Sequence, residues 1–234
     1  MLIKIPCILY AMAAFQIAAT PPNPPPSANE QLASTFVEVL LRQRSGLLLL
    51  KCVGWVIALL EVTVITVSHL PDWPWSREIM SALVLNGRTD CIYMSPLFVI
   101  GVILTLAGAS IRYRCYCELG NLFTFEVSIR DDHKLVQTGL YSRVRHPGYL
   151  GVLLTVLGVF CWTACPGSWL RECGALDTTT GLFIVGLCGG LLIFISVGLL
   201  MRMSSEDKAL EQHFGDDWVQ WSIEVPYKLI PGVF

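Results

Sequence analysis

Apolar residues dominate five stretches of the chain, 1–20, 46–70, 93–111, 148–165 and 181–201. A helix needs roughly 20 such residues to cross the hydrocarbon of a bilayer, so each stretch predicts a span. Polar residues concentrate in two pieces, 112–147 and 202–234. The pattern predicts an all-α integral membrane protein with about five transmembrane helices. Its two regions are 1–111, holding the N-terminal helices and a proline-rich connection, and 112–234, holding two further helices and both polar pieces. The connection, PPNPPPSANE, cannot continue the first helix, and a cleaved signal peptide can end in the same way.

Charge placement orients this array. With five spans, Arg42, Arg44, Arg112, Arg114, Arg130, Lys134, Arg143, Arg145, Arg202, Lys208 and Lys228 fall on one side, and only Lys4, Arg77, Arg88 and Arg171 on the other; Lys51 lies inside a span. Positive residues gather on the cytoplasmic side of short loops, so both polar pieces are expected in the cytosol, as a cap. Cleavage after residue 20 inverts every later loop, so the first stretch is read as a retained span.

Composition agrees with the membrane reading. Of 234 residues 54% are hydrophobic and 15% charged, with a mean hydropathy of +0.60, beyond what a soluble domain carries. A net charge of -2 supplies no field for nucleic acid, and no nucleic-acid partner is expected. Nine cysteines without a CxxC pair, and four histidines, give no metal-binding pattern; the cysteines read as small core or lipid-facing residues.

Candidate chemistry lies where the polar pieces meet the spans. In 112–147, TFEVSI has β-branched and aromatic character and RDD suits a turn, which predicts a short hairpin or irregular cap on the membrane. RHPGYLG then opens a helix: Pro147 suits its first turn, His146 falls near the N-cap, and Gly148 and Gly151 leave one flank bare, where exposed amides can receive an anionic group or a flat ring. Interfacial anchoring by Arg143, Arg145 and Tyr149 accounts for the same residues. In the tail, Arg202 stands where the last span ends and Glu206 is four residues on, on the same helix face. The pair is either an ordinary helix ion pair or a polar pair facing a cavity at the membrane surface.

DDHKLVQTGLYSRVRHPGYLG, followed after one helical hairpin by RMSSEDKALEQHFGDDWVQWSIEVPYKLIP, closely resembles the isoprenylcysteine carboxyl methyltransferases. The resemblance covers 112–234; RHPxYxG alone is shared with membrane methyltransferases acting on phospholipids. It implies an enzyme of the endoplasmic reticulum membrane, catalytic face cytosolic, that uses S-adenosylmethionine to methylate the C-terminal carboxylate of prenylated cysteine in lipidated proteins. It implies a cofactor pocket of His133, Lys134, Leu135, Val136, Tyr141, His146, Pro147, Gly148 and Tyr149, closed by Glu206, with Arg202 handling the substrate carboxylate and no metal. Many members carry more acidic residues here than the SSED of this chain, which holds Glu206 and Asp207. Gly186, Gly189 and Gly190 leave room for a lipid tail between spans, or serve close helix packing. Two other functions fit the pattern: methylation of a lipid amine, which gives less reason for Arg202, and a noncatalytic membrane scaffold.

Overall fold

The computed structural model describes residues 1–25, 45–85, 91–125 and 134–233. Those residues form helices and turns and contain no strand. The helices are α1 (Lys4–Ala18), α2 (Ser45–Ser68), α3 (Ser76–Leu83), α4 (Pro96–Leu119), α5 (Pro147–Thr163), α6 (Trp169–Glu172), α7 (Thr179–Phe214) and α8 (Asp216–Glu224). α2, α4 and α7 are long and apolar enough to cross a membrane, and α1 and α5 are shorter apolar helices beside them. The chain is thus an all-α membrane protein built on the five predicted stretches. The hairpin or cap expected from TFEVSI falls largely on 126–133, outside the described residues, as do Arg42, Arg44, Arg88 and Arg130.

Two helices run past their predicted ends. The third stretch stops being apolar at Ile111, but α4 continues to Leu119; the fifth stops at Met201, but α7 continues to Phe214. Nothing in RYRCYCEL or RMSSEDKALEQHF breaks a helix, and the next glycine in each case, Gly120 or Gly215, ends it. At Gly215 φ is +56°, a value that glycine adopts without the steric cost a Cβ brings. Both extensions carry polar side chains over the membrane end of the bundle.

Contacts fix the direction of each helix. Arg112 on α4 donates from Nε to the carbonyl of Ala18 at the end of α1, while Lys4 at the start of α1 lies over the Phe98 ring near the start of α4. α1 and α4 are therefore parallel. α5 runs back against α4, since Gly151 approaches Gly108 and Gly158 approaches Gly101 and Thr105. Two glycines seven residues apart on each helix face each other across the pair and let the backbones touch. A Cβ on Gly108 would stand 2.5 Å from the Gly151 carbonyl oxygen and 2.6 Å from the Thr155 nitrogen. Backbone cannot step aside as a side-chain end can. Gly108→Ala is expected to cost about 1–3 kcal/mol by overpacking, read as a lowered melting temperature of the purified protein in detergent.

This contact also corrects one expectation. Gly151 does not leave a bare flank for a ligand: a Cβ there would meet Arg112 Cγ at 2.7 Å and the Gly108 carbonyl oxygen at 2.9 Å. Its smallness serves the α4–α5 seam. Gly186 and Gly190 face open space and Gly189 lies against Phe160, so close packing explains at most the last of these three.

The end of the bundle away from the polar pieces holds a buried ion pair. Lys4 Nζ lies 2.6 Å from Glu61 Oε1 on α2, both side chains being essentially inaccessible. Lys4 also donates to the Gly167 carbonyl at 2.7 Å, and the Trp169 backbone N–H donates to Glu61 Oε2 at 3.1 Å. A lysine on the side expected to be poor in positive charge is thereby neutralised, and the pair ties α1 and α2 to the turn between α5 and α7.

Candidate active site

At the other end, α4, α5 and α7 converge on two adjoining cavities. The first, of about 660 Å³, is apolar. Phe15 and Ala18 of α1, Leu47 and Leu50 of α2, Val152 and Val156 of α5, and Leu192, Ile195 and Leu199 of α7 line it. The α7 residues share one helix face with Arg202, so the cavity follows this face for about 15 Å into the membrane. The second, of about 920 Å³, is more polar, and Lys134, Leu135, Val136, Tyr141, His146, Gly148, Glu206, Leu210 and Trp221 are among its walls.

Arg112, Phe123, Thr124, Tyr149 and Arg202 line both cavities, so two guanidinium groups stand at their junction. Arg202 donates from Nε to the Tyr149 hydroxyl oxygen at 2.8 Å and from Nη1 to the Phe125 carbonyl at 2.6 Å. Its Nη2 lies 3.7 Å from Glu206 Oε2. The Tyr149 hydroxyl donates to that same carboxylate, which links Arg202, Tyr149 and Glu206. Arg112 donates from Nε to Ala18 O at 2.7 Å and to the Tyr116 hydroxyl at 3.0 Å, and from Nη1 to Gly148 O at 3.3 Å. Tyr116, Phe123 and Phe125 surround it at cation–π distance. All its hydrogen-bond acceptors are neutral, so its positive charge is uncompensated at close range by any described carboxylate. An anionic group placed at the junction meets charge-assisted donors in a largely dry setting.

Each wall is held by a local device. Pro147 starts α5 and is buried in its first turn, outside the lining of either cavity. His146 precedes it and stacks on Tyr149, with ring centroids 5.3 Å apart and planes 4° from parallel. The turn Gly139–Ser142 presents Tyr141, and Glu118 fixes that turn by accepting the Leu140 N–H with both carboxylate oxygens, at 3.1 and 3.0 Å. Burial, then the neighbouring Cys115 thiol and the Glu206 and Glu118 carboxylates, push the Tyr141 phenol well above its ordinary range, so it stays a protonated donor at neutral pH. Gly139 has φ +60°, and a Cβ there would collide with the Glu118 carboxylate. Gly139→Ala is expected to cost about 1–2 kcal/mol from the backbone alone, read as a lowered melting temperature of the purified protein in detergent.

The tail closes the site. The backbone N–H groups of Arg145 and His146 donate to the Tyr227 and Lys228 carbonyls at 2.9 and 2.8 Å, and Val225 and Leu229, at the ends of this strap of residues 225–229, are buried. Of the two carboxylates in SSED, Glu206 is the one that lines the cavity.

The structure therefore gathers Lys134, Leu135, Val136, Tyr141, His146, Gly148, Tyr149, Arg202 and Glu206 around one hollow. His133 lies outside the described residues. Arg112, Phe123, Leu210 and Trp221 belong to the same walls and were not singled out by sequence. Arg112 reads as the first residue of a polar piece; its position directly after an apolar stretch with glycines at 101 and 108 was the available signal.

An apolar cavity inside a helical bundle, opening onto a polar one beside a pair of arginines, suits an amphipathic ligand. Residues 100–166 match the isoprenylcysteine carboxyl methyltransferase (ICMT) family. The chain is 28% identical over 154 residues to a probable protein-S-isoprenylcysteine O-methyltransferase of Oryza sativa subsp. indica, covering 62% of this chain and 71% of that protein. It is 26% identical over 128 residues to protein-S-isoprenylcysteine O-methyltransferase B of Arabidopsis thaliana, covering 54% and 55%. A shorter likeness, 25% over 101 residues, is to the Delta(14)-sterol reductase TM7SF2 of Mus musculus, covering 43% of this chain and 20% of that one. The chain is thus similar to isoprenylcysteine carboxyl methyltransferases over residues 100–166 and, at 26–28% identity, over about half of its length.

Proposed function

We propose that the protein methylates the C-terminal carboxylate of prenylated cysteine in lipidated proteins, with S-adenosylmethionine as donor, at the cytosolic face of the endoplasmic reticulum membrane. The observation that carries this reading is the position of Arg112 and Arg202, on the wall common to the apolar and polar cavities. A prenyl chain in the first cavity and a nucleotide in the second bring a carboxylate and a methyl donor together between the two guanidiniums. The second cavity fits the nucleotide chemically: Glu206 supplies an acceptor for hydroxyl or ammonium hydrogens, and Leu135, Val136 and Leu210 supply apolar faces for a ring. The uneven distribution of basic residues supports the cytosolic face.

Held by Glu206, Leu135, Val136 and Leu210, S-adenosylmethionine would supply a methyl group to the carboxylate oxygen, its sulfur keeping the electron pair of the carbon–sulfur bond. The nucleophile is already ionised at neutral pH, so the chain has no proton to remove. Its work is alignment and the exclusion of water, which together lower the barrier by several kcal/mol. Arg202 holds the carboxylate by its guanidinium fork and does not give up its proton. Tyr149 bridges Arg202 and Glu206 and so keeps the substrate-holding and donor-holding groups in register.

Methylation of a lipid amine is less well supported, because it builds positive charge beside two arginines. Incubation of purified protein with labelled S-adenosylmethionine and either a farnesylcysteine analogue or phosphatidylethanolamine separates the readings. Label in the farnesylcysteine ester is the expected result; label in the phospholipid, or in neither, rejects it.

A further inference from the structure

Asp207, next to Glu206 on α7, lines neither cavity. It is buried, its Oδ1 3.0 Å from His146 Nε2 and its Oδ2 3.5 Å from Arg145 Nη1 and 3.4 Å from Lys228 Nζ. The strap beneath which it sits is already stitched down by backbone bonds from Arg145 and His146. An ionised carboxylate only accepts, so the imidazole nitrogen facing it carries the hydrogen. The other nitrogen, Nδ1, has no partner among the described residues, on a ring that lines the polar cavity. In the neutral ring that nitrogen is a lone-pair acceptor.

We propose that Asp207 is a positioning residue that acts through His146: it fixes the Nε2–H tautomer and so presents Nδ1 to the polar cavity as the acceptor for an N–H or O–H of the bound ligand. Two contacts at right angles hold the ring, the carboxylate at its edge and Tyr149 against its face. A ring flip breaks the first. The Glu–Asp step on α7 thus divides its labour, Glu206 meeting the ligand and Asp207 setting the neighbour that meets it. The inference rests on the nucleotide reading of that cavity, since S-adenosylmethionine offers such donors in its amino groups and ribose hydroxyls.

The test uses the full chain in detergent, with histidine labelled with nitrogen-15 and the His146 resonances assigned by their loss in His146→Gln. At mildly alkaline pH the parent is expected to show Nε2–H, and saturating S-adenosylhomocysteine is expected to shift the Nδ1 resonance. Asp207→Leu, of similar shape but without an acceptor, is expected to give mixed tautomers and about 5–10-fold weaker S-adenosylhomocysteine binding, the worth of one hydrogen bond. Lys228→Gln leaves the Asp207–His146 contact in place and is expected to keep both tautomer and affinity. Hydrogen on Nδ1 in the parent, an Nδ1 resonance indifferent to saturating ligand, or an Asp207→Leu protein with parental tautomer and affinity overturns the proposal. If Asp207→Leu does not fold, the two parent measurements decide. A parent that binds no S-adenosylhomocysteine contradicts the nucleotide reading and with it the ligand contact, whereas a wrong tautomer in a parent that binds it contradicts the role of Asp207 alone.

Discussion

Arg202→Ala is expected, on the proposed function, to lose kcat/KM toward a prenylcysteine substrate by about 10²–10³-fold, the scale set by removing one preorganised donor from a developing reaction centre. The geometry explains why the loss is large and where it falls. Arg202 is buried and its guanidinium is tied to Tyr149 and Phe125, so no other cation on α7 can replace it. Arg112, on α4, remains and still attracts the substrate carboxylate, but from one side only. S-adenosylhomocysteine affinity in the same variant falls less than ten-fold, because the Tyr149 hydroxyl and Glu206 still bond each other. Glu206→Ala shows the opposite split, with weakened S-adenosylhomocysteine binding. Steady-state kinetics on both variants, with calorimetry for the ligand, checks the pair. Parental turnover by Arg202→Ala rejects its role.

Glu61→Ala lowers stability by about 3–5 kcal/mol, because it leaves the Lys4 ammonium buried without its counter-charge. For a chain of this size that corresponds to a melting temperature about 10 °C lower. The Trp169 N–H also loses its acceptor, which adds to the cost. Lys4→Met combined with Glu61→Leu removes both charges and recovers much of the loss, since an apolar pair of similar volume often matches a buried ion pair. The measurement is thermal unfolding of the three proteins in one detergent. Equal melting temperatures for Glu61→Ala and the parent contradict the buried pair. The site is at the far end of the bundle, so the double variant is expected to retain S-adenosylhomocysteine binding.

What the sequence revealed follows from the range of the forces involved. Hydrophobic runs mark helices locally, and α2, predicted at 46–70, spans Ser45–Ser68. The motif residues from Lys134 to Tyr149 meet Glu206 because each sits at the same membrane end, which alternating spans already imply. Contacts made only by tertiary packing were not legible. Arg112 becomes part of the site through the Ala18 and Gly148 carbonyls, 94 and 36 residues away in the chain. Lys4 reads as an exception to charge asymmetry until Glu61 is beside it. Gly151 has the same look whether it clears space for a ligand or for a neighbouring helix, and only the position of Gly108 decides. Asp207 and Glu206 are adjacent carboxylates, and their different partners come from the side of α7 each one leaves.

The central claim is that lipid and nucleotide meet between Arg112 and Arg202. A structure of the protein with S-adenosylhomocysteine and a farnesylcysteine analogue tests it most directly. The account predicts the thioether sulfur at the junction, the carboxylate within hydrogen-bond reach of both guanidiniums, and the isoprenoid along Leu192, Ile195 and Leu199. A nucleotide or a prenyl chain bound elsewhere, with the junction filled by protein side chains, contradicts it.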